Sequence, residues 1–151
     1  MSLRFHYKLV PSARGVQSLG GRWVRPRPLI SVTGVGPAGS FAAMGLLDTG
    51  ADDTVFPESL AVKAGIDLTN APAGTAAGVG SGLLPVRYAE IPLRISDGRE
   101  NREWLAWVAF TPAPLKHTLL GFAGFLQFFT ATFHGDREEV ELAVNSFYRG
   151  T

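Results

Sequence analysis

Cysteine is absent from the 151-residue chain, which excludes a disulfide framework and any thiolate metal site. No apolar run approaches the roughly 18 residues of a membrane span, and the opening stretch MSLRFHYKLV lacks a basic region followed by the apolar core of an export signal. We therefore expect a cytoplasmic protein with no membrane partner. Acidic residues are missing from the first third: residues 1–47 carry six Lys/Arg and no Asp/Glu, whereas residues 48–151 carry eight and thirteen, giving +6 and −5. A nucleic-acid arm needs clustered bases, but Arg14, Arg22, Arg25 and Arg27 are spread out. They read as solvated charges on strand edges and loops, and no nucleic-acid partner is expected. The three histidines, His6, His117 and His134, stand too far apart for a paired metal motif, so no metal site is expected either.

What the chain does contain is turn chemistry and short apolar runs. Gly (18) and Pro (10) punctuate a sequence that is 46% hydrophobic and 18% charged, the composition of a strand-rich globular fold. Its length fits one domain over residues 1–151. LRFHYKLV reads as a first strand, and WVRPRPLISVTG as an extended segment whose prolines exclude helix. GVGPAGS makes a turn, and FAAMGLLD a strand ending on Asp48. In FPESLAVKAG, Pro57 suits a first helical position and Gly65 a C-terminal cap. The alternation of Ala89, Ile91, Leu93 and Ile95 with Glu90, Pro92 and Arg94 marks a half-buried strand. EWLAWVAF, apolar at nearly every position, reads as a central strand buried on both faces. HTLLGFAGFLQFF passes from a short strand through Gly121 into a short helix, and TATFHGDREEVELAV forms a hairpin turning at Gly135 and Asp136.

Several motifs dissolve on inspection. Gly34, Gly36 and Gly39 match G-x-G-x-x-G, but a dinucleotide loop must open a helix. Only eight residues separate Gly39 from Asp48, and Gly45 interrupts them. Ser81 in GVGSG is out of register for a nucleophile elbow. Asp48-Thr49-Gly50 is better placed: the acid ends an apolar strand, Gly50 permits a tight turn, and the Thr49 hydroxyl is suited to lock that turn.

The segment LLDTGADDTVF resembles the active-site segment of retropepsins, the retroviral-type aspartic proteases, matching their Leu-Leu-Asp-Thr-Gly-Ala-Asp-Asp-Thr-Val. The likeness runs in order over roughly residues 28–134. ISVTGVGPAGSFAAMG resembles the hairpin before the catalytic turn, AAGVGSGLLPVRYAEIPLRI the glycine-rich flap and return strand, and HTLLGFAGFLQF the Leu-Gly segment and following helix. The resemblance implies an all-β, closed-barrel-like fold with one or two short helices. It also implies an endopeptidase that needs no cofactor and works on peptides or proteins as a homodimer, each subunit donating one aspartate. Asp48 would be catalytic, Thr49 and Gly50 would hold its loop, Ala51, Asp52 and Asp53 would line the substrate cleft, and Gly78, Val79 and Gly80 would form the flap tip. One departure stands out. The family's arginine after the Leu-Gly pair is replaced by Phe122, which leaves Asp52 in need of another cation, with Arg87 a candidate. It also leaves open a catalytically silent retropepsin-like module that binds peptides or partner proteins.

Overall fold

The computed structural model describes residues 1–78 and 82–151, and those residues form an all-β fold with a single α-helix. The strands are β1 (Leu3–His6), β2 (Lys8–Val16), β3 (Arg22–Arg27), β4 (Leu29–Gly36), β5 (Gly39–Leu47) and β6 (Val55–Pro57). After helix α1 (Glu58–Ala64) come β7 (Ala73–Gly78), β8 (Gly82–Ser96), β9 (Asn101–Thr111), β10 (Thr118–Leu120), β11 (Phe129–His134) and β12 (Glu139–Val144). No helix among the described residues is long and apolar enough to cross a membrane.

The opening run is two strands rather than one. The break falls at Tyr7, whose N–H donates to the Glu138 carbonyl at 2.7 Å as the last bond in the β1–β12 register before the chain passes into β2. Pro28 makes the next break, between β3 and β4: it has no N–H to offer, while its carbonyl accepts from Leu47 at 3.0 Å. The result is a separate β2–β3 hairpin feeding directly into the main sheet. Pro57 stands just before α1 with extended backbone (φ −60°, ψ 138°) and not within it, and Gly65 (φ 71°) caps the helix in the left-handed region that favours glycine. The helix expected after Gly121 is only a 3₁₀ turn, Leu126–Phe128, because β11 resumes at Phe129.

Seven strands form one mixed sheet in the order β4-β5-β10-β6-β9-β8-β7, and β4 also pairs with β8, so the sheet curls round and closes. The alternation in β8 does what period two requires: Ile91, Leu93 and Ile95 are buried, Glu90 and Arg94 exposed. Strand β9 departs from its expected double burial. Trp104, Ala106 and Val108 face the core, but Leu105 and Trp107 are more than half exposed, and both faces are covered only from Val108 onward. Inside the closed sheet, Phe41, Phe56 and Phe110 pack with centroids 5.1–6.3 Å apart, at spacings typical of edge and tilted aromatic pairs. Strands β1, β12 and β11 make a smaller sheet whose Leu3, Val140, Leu142 and Phe129 enter the same core. Trp104 joins the two, stacking edge-on against Phe125 and Phe129 while its indole N–H donates to the Gly124 carbonyl at 2.9 Å.

Candidate active site

The position of Asp48 follows from an unusual strand order. Strands β5 and β6 are consecutive in the chain, yet they are not neighbours: β10 lies between them, parallel to β5 and antiparallel to β6. The loop 48–54 must therefore pass over the end of β10, and backbone hydrogen bonds strap it there. Asp48 N–H donates to Leu120 O at 3.1 Å, Phe122 N–H to Ala51 O at 2.9 Å, and Ala123 N–H to Asp52 O at 2.8 Å. Thr54 completes the strap, its N–H and hydroxyl both reaching the Ala123 carbonyl at 3.1 and 2.9 Å. Gly121 lets the two segments come this close. A Cβ there would sit 2.3 Å from Asp53 O and 2.6 Å from Ala51 O, both backbone atoms.

Within the loop, the Gly50 N–H donates to Asp48 Oδ1 at 2.9 Å and the Ala51 N–H to Asp48 O at 3.2 Å. These bonds make a turn that fixes one carboxylate oxygen against the backbone. Asp48 is half-buried, Thr49 and Gly50 are exposed at the loop tip, Ala51 is buried, and Asp52 is exposed. Among the described residues the Thr49 hydroxyl makes no hydrogen bond, so the turn is locked by Gly50 and Ala51 rather than by threonine. Asp53 is half-buried, and its carboxyl is pushed above the ordinary aspartate range, chiefly by burial and further by the neighbouring Asp52 charge. The Tyr88 hydroxyl on β8 offsets part of this through a long contact, 3.5 Å from Asp53 Oδ2. Burial first, and the Asp53 charge second, raise Tyr88 in turn.

Arg87 is not the cation for Asp52. Its guanidinium donates to the Ala71 carbonyl at 3.0 Å, and no ion pair includes Asp52 among the described residues. The predicted flap falls on the β7–β8 hairpin, where Gly78 pairs with Gly82 as the last described rung. Val79 and Gly80 lie outside the described residues.

Asp48 lines a cleft of about 580 Å³ with Arg27, Leu46, Thr49, Leu115, Lys116, His117 and Leu119 among its walls. A groove of about 600 Å³ between α1 and the base of the β7–β8 hairpin includes none of the loop 48–54. Sequence reasoning did not bring Arg27, Lys116 and His117 to this cleft. Arg27 read as a solvated charge and is half-buried, and His117 read as a histidine too far from the other two to serve as a metal ligand. No local signal could have found them, since the three come from two segments that only the closed sheet brings together. Among the described residues no group of three or more His, Asp or Glu is arranged to hold a metal ion. No family model matches the chain, and no curated protein matches it in sequence.

Proposed function

We propose that the protein is an aspartic endopeptidase of the retropepsin type, in which two copies of the chain each contribute Asp48 to one site. The observation that carries this reading is the turn 48–51: a carboxylate at a strand end, one oxygen pinned by the Gly50 N–H at 2.9 Å, opening on a cleft with apolar walls at Leu46, Leu115 and Leu119. The closed all-β sheet and the threading of β10 between β5 and β6 are consistent with it.

A lone carboxylate serves badly as both base and acid in one hydrolysis. Two of them held close share a proton, because both cannot ionise easily, and their titration belongs to the pair. The ionised Asp48 takes a proton from water as the oxygen attacks the scissile carbonyl. The protonated carboxyl of the other copy hydrogen-bonds that carbonyl oxygen, and a proton then passes to the leaving amine as the C–N bond breaks. The exposed loop tip at Thr49 and Gly50 suits a two-fold contact that brings two such carboxylates together. An extended peptide would run along the cleft as an added strand, its side chains alternating into pockets.

The test is concentration dependence. Cleavage of a peptide library should have a specific activity that falls on dilution as dimer gives way to monomer in sedimentation. Full-rate cleavage by a monomer would sink the reading. A module that binds peptides without cutting them would instead show affinity and no products at any concentration.

Buried Ala51 supplies a second prediction. A serine there would offer the aspartate pair a hydroxyl donor, which favours the ionised form. Ala51→Ser is therefore expected to move the profile of kcat/KM against pH toward acid with little loss of peak activity. An unchanged or alkaline-shifted profile would show that residue 51 does not tune the pair.

A further inference from the structure

Three basic side chains from two distant segments meet in the cleft that holds Asp48. Arg27 arrives from the end of β3, and Lys116 and His117 from the loop before β10. Lys116 is exposed, whereas Arg27 and His117 are half-buried. The Arg27 Nε and the His117 Nε2 are fully buried and have no hydrogen-bond partner among the described residues. Leaving such a group buried and unpaired is unfavourable. The crowding shows in His117, whose pKa is held below its ordinary value first by burial and then by the charges of Arg27 and Lys116. Asp48 is the one carboxylate among the lining residues, and it forms no ion pair with them among the described residues. Donors gathered with no carboxylate paired to them among the described residues, between the apolar walls of Leu46, Leu115 and Leu119, complement an anion that arrives with the ligand.

We infer that this cleft selects extended peptides carrying a Glu or Asp side chain beside the bond to be cut, with the carboxylate received by Arg27 and His117 and drawn in by Lys116. The inference rests on the reading of the Asp48 cleft as a peptide site, and it names that site's substrate class. Arg27 offers a planar fork suited to a carboxylate. His117 donates from Nε2 in the tautomer protonated there. A rival occupant is a carboxylate of a second copy, since Asp52 is exposed and pairs with no cation among the described residues.

The probes are short apolar peptides in which one Glu is scanned through every position, each paired with the same peptide carrying Gln. At one position the native protein should cleave the Glu peptide with a kcat/KM roughly tenfold higher, about 1.4 kcal/mol. In Arg27→Gln that ratio should collapse to within about twofold, whatever the overall rate. Cleavage without a Glu preference, or a preference unchanged in Arg27→Gln, overturns the inference and leaves the protease reading standing. Loss of the dimer in sedimentation of Arg27→Gln would instead assign Arg27 to the rival occupant and overturn the inference. If no peptide is cut, fluorescence anisotropy on the same pairs decides. A Glu preference in binding that Arg27→Gln removes supports the inference while the protease reading fails, and no preference or no binding overturns it. Should Arg27→Gln not fold, Lys116→Glu at an exposed side chain replaces it. That variant should move the preference at the same position from Glu toward Lys, and an unmoved preference overturns the inference.

Discussion

Asp48→Asn is expected to lower peptide hydrolysis by at least roughly 10³-fold while leaving fold and dimer intact. The asparagine side-chain oxygen can still accept from the Gly50 N–H, which now meets Asp48 Oδ1 at 2.9 Å. The turn keeps its geometry, but the group can no longer take a proton from water. Far-UV circular dichroism and sedimentation should match the native protein, and product formation over hours should be near background. A variant that turns over at the native rate would remove Asp48 from the chemistry.

Gly121→Ala is expected to be the most destabilising change near the site. The added methyl would lie 2.3 Å from Asp53 O and 2.6 Å from Ala51 O, so neither a rotamer nor a flexible tip can absorb it and the backbone must part. That would break the bonds joining Phe122 to Ala51 and Ala123 to Asp52. We expect a loss of about 3 kcal/mol or more in urea unfolding and loss of activity at temperatures where some fold survives. Phe122→Ala, one position on and 62% exposed, is the control and should stay within about 0.5 kcal/mol. Equal stability of the two variants would mean that the loop is not strapped as described.

Local pattern and distant contact divide what could be read in advance. The alternation in Ala89–Ile95, the acid ending a strand at Asp48 and the cap at Gly65 are each written within a few neighbouring residues, and each was legible. The double break at Tyr7 and Pro28 was not, because Tyr7 ends its ladder on a carbonyl at residue 138 and Pro28 turns on a contact with Leu47. EWLAWVAF misled for a related reason. A strand apolar throughout looks buried on both faces, whereas the cover over Leu105 and Trp107 is simply absent from the described residues. The cationic cleft is the extreme case: Arg27 and His117 are ninety positions apart and share one wall only after β5 and β10 lie side by side.

The threading of β10 also sets an order of assembly. Strands β4 and β5 can pair as a hairpin as soon as both leave the ribosome, since their contacts are local. The bond from Asp48 N–H to Leu120 O cannot form until the chain has been made past residue 120 and β10 has slotted between β5 and β6. Closing so long a loop is slow, so the aspartate turn is among the last features to take shape. An unfinished or truncated chain would carry the Asp-Thr-Gly letters without the geometry. On the protease reading proposed above, a nascent chain therefore has no assembled aspartate turn until residue 120 has been made.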